Sequence, residues 1–154
     1  MAKIINVDRV PRKWIDDPDS KSPMKTLRLG AAAGSRRLYV NIDCVKPGAK
    51  SVKYHAHSRQ EEFFLILEGR GVLRMNGRKS RVKKGDCVAK PAGSAAHQFI
   101  NDGRGVLKIL DCGLEEADDM ATYPDEGVVL IRRLGRAFRL SDAIRGWSSD
   151  PNAE

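Results

Sequence analysis

His55-Ala-His57-Ser-Arg-Gln-Glu61-Glu62, with six residues between Glu62 and Gly69, and Gly85-Asp-Cys-Val-Ala-Lys-Pro91-Ala-Gly93-Ser-Ala-Ala-His97-Gln-Phe-Ile-Asn101 together hold all three histidines of this chain. Histidines used for packing or for the surface would scatter, and none stands elsewhere. On a β-strand, residues i and i+2 face the same side, so His55 and His57 can point at one atom. A turn through Ser58–Gln60 brings back a second strand carrying Glu62, and His97 then arrives from a third. Three imidazoles and one carboxylate suit Fe, Mn, Zn, Ni or Co better than Ca or Mg, which prefer oxygen-rich shells. The expectation is one divalent transition metal on His55, His57, Glu62 and His97, with open positions for water, dioxygen or a chelating substrate. Glu61 is the rival carboxylate and is expected to face solvent.

Working outward, the chain reads as strands. Leu38–Val45 mixes apolar, polar and β-branched residues. Phe63–Leu67 is apolar on both faces. Asn76-Gly77 between Val72–Met75 and Lys79–Val82 is a strong hairpin signal. Gly69, Gly85 and Asn101-Asp102-Gly103 mark further turns, and Val106–Leu110 and Val128–Ile131 complete the set. Short strands with frequent turns predict an all-β sandwich or barrel in a single domain. Helical turns are expected at Leu114–Met120 and at Asp142–Trp147, the second with Ser141 as N-cap. Residues 1–30, with Pro11, Pro18 and Pro23, read as an extended arm, residues 31–135 as the barrel and residues 136–154 as a short helical tail.

With these residues in place, the chain resembles the cupin superfamily, in its small single-domain bacterial form. The first motif of that family is matched by His55-x-His57, four residues, Glu62, six residues and Gly69. The second is matched by Gly85, five residues, Pro91-x-Gly93, and by His97, three residues, Asn101. Gly48 lies one residue further from His55 than the pattern has it, and the Gly93–His97 spacing is also one residue longer. Both extra residues fall in loops and touch loop shape more than the ligands. The resemblance implies a jelly-roll barrel and a metal centre. It spans dioxygenases, isomerases, decarboxylases and lyases, and so does not choose a reaction.

Strand parity suggests the pocket. If Glu62 points inward, so do Phe64 and Ile66; Phe99 and Asn101 share a face with His97; and Lys53 shares one with His55 and His57. An inward Lys53 suits a carboxylate or phosphate on a small-molecule ligand. Phe63, Leu65 and Leu67 then face outward and need cover, and the resemblance favours a homodimer through that face. The expected function is a metalloenzyme acting on a small anionic oxygen-bearing molecule, the alternative being a non-catalytic binding or sensor protein.

Composition frames these expectations. The chain has 154 residues, 41% of them hydrophobic, with a net charge of +8. It has no apolar run of spanning length and no signal-peptide core near Met1, which predicts a cytoplasmic protein with no membrane partner. Cys44, Cys87 and Cys112 form no C-x-x-C pair and read as reduced, small buried hydrophobes. Residues 70–84 carry seven basic and no acidic side chains, and residues 111–126 carry seven acidic and no basic ones. These read as two solvated surfaces, or as segments that attract each other. Without a helix-turn-helix, a zinc finger or aromatic-interleaved basic stretches, no nucleic-acid partner is expected.

Overall fold

A computed structural model describes residues 3–10, 13–15, 24–93, 95–144 and 146–152, with 13–15 as backbone alone. In chain order the strands are β1 (Lys13–Ile15), β2 (Met24–Arg28), β3 (Leu38–Val45), β4 (Ala56–His57), β5 (Glu62–Glu68), β6 (Arg70–Met75), β7 (Arg78–Lys83), β8 (Cys87–Lys90), β9 (His97–Ile100), β10 (Leu107–Leu114), β11 (Met120–Tyr123), β12 (Val128–Ile131) and β13 (Arg136–Arg139). A short helix, α1 (Leu29–Ala33), joins β2 to β3. Every pairing among these strands is antiparallel, in sheets of order β1-β2-β3-β10-β5-β8, β13-β12-β11-β4 and β7-β6-β9. This is the all-β architecture that the turn spacing predicts.

Alternation builds the interior. Along β5 the inward Glu62, Phe64 and Ile66 are buried, while Phe63, Leu65 and Leu67 face out. Ile66 joins Val45, Leu73, Val82 and Leu107 in the closed end of the core. The outer face of β3, β10 and β5 is apolar, with Val40, Ile42, Leu65 and Leu110 half-buried and Phe63 and Leu114 exposed. The hairpin turn forms at Asn76-Gly77, where φ is 49° and 74°. Positive φ at both central residues matches the twist of the flanking strands, and Gly77 N–H donates to Tyr54 Oη at 2.9 Å.

Four expectations are corrected. Part of the expected arm is sheet: β2 pairs with β3 from Met24↔Val45 to Arg28↔Asn41, and Met24, Thr26 and Leu27 are buried. Five residues behind a proline carry too little pattern to declare a strand; pairing with β3 makes it one. Pro11, Pro18 and Pro23 lie outside the described residues. The expected helical turn at Leu114–Met120 is instead the end of β10, a loop and the start of β11. In the tail, β13 and a 3-10 turn at Leu140–Asp142 are followed by no helix among the described residues, and the Ser141 hydroxyl donates to Asp142 Oδ1. Among the cysteines, Cys87 is exposed, because it stands on the outward parity of the edge strand β8.

Asn101 is fully buried and closes the turn after β9. Its Nδ2 donates to Val45 O at 2.8 Å and Gly105 O at 2.9 Å, and its Oδ1 accepts from Gly103 N–H at 2.9 Å. Alanine leaves these backbone groups unpaired in a dry site. We expect Asn101→Ala to lower unfolding stability by about 2–4 kcal/mol, measured by urea denaturation; an unchanged midpoint would contradict this structural role.

Candidate metal centre

His55 and His57 come from the segment leading through β4, Glu62 from the start of β5, and His97 from the start of β9. An isolated bridge between His55 and His97 sets two of the imidazoles side by side. All four side chains are buried. His55, His57 and Glu62 form a group that can hold a metal ion, each offering one ligand atom, with all three atoms within 4.8 Å of one another. His97 Nε2 lies 3.8 Å from Glu62 Oε2, and its ring centroid is 4.7 Å from that of His55.

The hydrogen bonds around the rings decide what the cluster can bind. His55 Nδ1 lies 2.7 Å from Lys53 O, and His57 Nδ1 lies 2.6 Å from Asp119 Oδ2. A carbonyl only accepts, and so does an ionised carboxylate, so both Nδ1 atoms carry the proton. Each Nε2 of the neutral rings is then a bare lone pair. The two Nε2 atoms face each other at 3.0 Å. Two lone pairs at that separation repel unless a cation accepts both. A proton on the His55 ring is one alternative, and the surroundings oppose it: burial, then the neighbouring His57, pushes the pKa of His55 down to about 4. Burial and the nearby His55 and Lys90 also push His97 well below the ordinary histidine value. The donor set therefore fits a divalent transition metal.

Asp119 holds this arrangement from behind. Burial works against its charge, but Arg59 N–H, His57 and Gln60 N–H outweigh that and hold its pKa below the usual carboxylate value. Its Oδ1 accepts from Ser58 Oγ at 3.2 Å, Arg59 N at 2.9 Å and Gln60 N at 3.3 Å, and Arg132 Nε lies 3.3 Å from Oδ2. Glu62 Oε1 accepts from Tyr39 Oη at 3.3 Å and from Gln60 Nε2 at 3.4 Å, while Lys90 Nζ, 1% exposed, lies 3.0 Å from Oε2.

The cluster opens into a cavity of about 410 Å³. Phe64 and Phe99 line it as parity suggests, and Phe64 packs 5.0 Å from the His97 ring. Ile66, Lys53 and Asn101 are not among its lining residues. Ile66 sits two positions further along β5, in the closed core. Lys53 pairs with Glu126 at 3.9 Å and offers its carbonyl to His55. Asn101 is absorbed by its turn. The positive charge among the lining residues lies instead on Arg28, Arg36 and Arg132, all exposed.

Tyr39, Asn41, Asp43, Gln60 and Asp111 also line it, and they escape a reading by motif. One signal was present: Tyr39, Asn41 and Asp43 recur at i, i+2 and i+4 among apolar residues. Two members of the acidic run, Asp111 and Asp119, lie inside the protein, and not on a solvated surface. Another, Asp125, forms a bidentate pair with Arg74 of the basic run at 2.5 and 2.8 Å, so the two segments do attract at that point.

Comparison with known proteins agrees with this geometry. A cupin domain model matches residues 41–113. A cupin-superfamily sugar phosphate isomerase from Silicibacter pomeroyi has 28% identity and a TM-score of 0.81 over 96% of this chain and 98% of that one. A candidate sugar phosphate isomerase from Acidithiobacillus ferrooxidans has 27% identity and a TM-score of 0.83 over 95% and 97%. A predicted oxalate decarboxylase from Thermotoga maritima shares the fold, at 22% identity and a TM-score of 0.64 over 73% of this chain and 99% of that one. An uncharacterised protein of Methanocaldococcus jannaschii is 37% identical over 70 residues, 46% of this chain and 55% of that protein, so the matched stretch spans about half of that relative.

Asp119→Asn keeps the shape but removes the charge that fixes the His57 proton on Nδ1. We expect metal affinity to fall roughly 10–100-fold, measured by competition with a chromophoric chelator. Unchanged affinity would show that Asp119 does not support the ligand.

Proposed function

Because this chain belongs to the cupin superfamily, we propose that it is a metal-dependent enzyme that isomerises a small hydroxylated anion of the sugar-phosphate type. One observation carries the reading: the facing Nε2 lone pairs of His55 and His57, 3.0 Å apart, lie at a buried centre that opens to an arginine-rimmed cavity. The likeness to two structures named as sugar phosphate isomerases, each over nearly the whole chain, supports the substrate class.

His55, His57, Glu62 and His97 hold one divalent transition metal in this reading. When bound, the ion supplies a Lewis acid for a carbonyl or hydroxyl oxygen of the substrate. The chain's own residues do the rest. Arg28, Arg36 and Arg132 bind the anionic group, and a guanidinium fork matches a phosphate better than an ammonium does. Phe64 and Phe99 exclude water from the inner wall. Tyr39 and Gln60 hold Glu62 in place. Asp111 keeps a proton on its carboxyl near neutral pH, since burial, then the charges of Asp43 and Glu62, raises its pKa to about 8.

The test is to load the protein in turn with Fe, Mn, Zn, Ni and Co, and to follow aldose and ketose phosphates by NMR in deuterated water. We expect interconversion that chelation abolishes, and in Arg36→Ala a KM raised about tenfold or more with metal content unchanged. Absence of turnover with every metal, together with no binding of any sugar phosphate, would overturn the reading.

We further infer that a second copy of the chain covers the apolar outer face of β3, β10 and β5. Sedimentation equilibrium at micromolar concentration should give a dimer; a monomer there refutes it.

A further inference from the structure

The inward face of β3 is unusual for a barrel. Tyr39, Asn41 and Asp43 point to the interior while the apolar Val40 and Ile42 point out. On the neighbouring β10, Asp111 pairs in register with Asn41, and so adds a second carboxyl to the same wall. Polar groups taken from water cost free energy unless they find partners, so a wall of this kind weakens the fold.

Two further observations concern acceptors of this wall that have no partner. Gln60 is 3% exposed and lines the same cavity; its Nε2 serves Tyr39 Oη and Glu62 Oε1, but its Oε1 has no hydrogen-bond partner. Asp111 Oδ1 is buried and likewise has none. Asp43 is partly served, accepting from Thr26 Oγ1 at 2.5 Å. A Cβ at position 113 would come 2.3 Å from the Glu61 carbonyl oxygen and 2.7 Å from Tyr39 Oη, so glycine there allows the close approach of the chain at Glu61 and also leaves room for the phenol.

We propose that Asp43, Asp111 and Gln60 form a subsite that reads the hydroxyl groups of the substrate and rejects a second carboxylate. The proposal rests on the preceding reading of the cavity as a site for a small hydroxylated anion, and it orients that molecule. The anionic group sits among the arginines at the mouth, and the hydroxyls lie along β3 and β10. A hydroxyl both donates and accepts, whereas a carboxylate only accepts. Gln60 Oε1 and the Asp43 carboxylate both require donors. Burial raises the pKa of Asp43 to about 6, against the hydrogen bond from Thr26, so near pH 7.5 it accepts while Asp111 retains a proton to donate. A dicarboxylate brings a second negative charge and no donor to this wall, and like charges at short range in a buried site repel strongly.

The experiment is isothermal titration calorimetry on the metal-loaded protein at pH 7.5 with ribitol 5-phosphate, pentyl phosphate and succinate. The two phosphates share a head group and chain length and differ in the hydroxyls. We expect ribitol 5-phosphate to bind about tenfold or more tighter than pentyl phosphate, and succinate to bind weakest. In Asp43→Asn/Asp111→Asn the preference for the polyol should fall to about threefold or less, and succinate should gain affinity, with metal content unchanged. Equal binding of the two phosphates by the wild-type protein overturns the subsite and leaves the phosphate-binding cavity standing, whether or not the variant folds. A variant that keeps the full preference also overturns it. A wild-type protein that binds neither phosphate overturns both readings.

Discussion

The hydrogen bond between His57 and Asp119 organises more of this molecule than any other contact. It joins residues 62 positions apart, at 2.6 Å, and ties the loop after β4 to the start of β11. The same carboxylate gathers the backbone N–H groups of Arg59 and Gln60 and the hydroxyl of Ser58. That loop turns the chain from β4 into β5, so one buried charge sets both the proton position on His57 and the direction from which Glu62 enters. Charge-assisted hydrogen bonds of this kind are about twice as strong as neutral ones. Four donors to one carboxylate offset the loss of water that its complete burial imposes.

Other buried charges are not so well offset. Lys90 stands opposite Glu62 in the β5–β8 ladder, and the two form an ion pair in which neither Lys90 Nζ nor Glu62 Oε2 gains a hydrogen bond. Desolvating each ion costs several kcal/mol, and attraction repays that only with good geometry and satisfied neighbours. Stability therefore does not explain this pair, nor the two carboxyls of the β3–β10 wall. The apolar residues from Val45 to Ile109 carry the fold, and the polar end of the barrel draws on that reserve. This division explains why the interior reads as core at one end and as chemistry at the other, although both ends share the same strands.

Much of the fold was legible because β-structure repeats every two residues. Leu38–Val45 and Val128–Ile131 are strands at the predicted bounds, and the Asn76-Gly77 hairpin turns where its sequence demands. The strands that the sequence does not announce, β1, β2, β8, β11 and β13, are short. Each exists through pairing with a neighbour distant in sequence or newly formed beside it, and local propensity carries no trace of such partners. Of the expected helical turns, Leu114–Met120 is bounded by the ends of β10 and β11, and residues 143, 144, 146 and 147 form no regular element.

The site divides along the same line. Spacing places His55, His57 and Glu62 together, because two-residue periodicity and a short turn leave those side chains few other directions; His97 is expected from the second motif, and its bridge to His55 brings it to them. Phe64 and Phe99 followed from parity with them. Parity says which face a residue takes, but not how far along the barrel the open end reaches. Ile66 therefore falls in the closed core, Asn101 in a turn, and Lys53 beside Glu126. The arginines at the mouth, the Asp43–Asp111 wall and the Asp119 support come from segments far apart in the chain. The chain by itself determined the candidate ligands His55, His57 and Glu62 and the longer strands, since both are matters of spacing over a few residues. Only the tertiary structure decided what surrounds that cluster, since closing the barrel is what brings β3, β10 and the arginines of separate segments to one cavity.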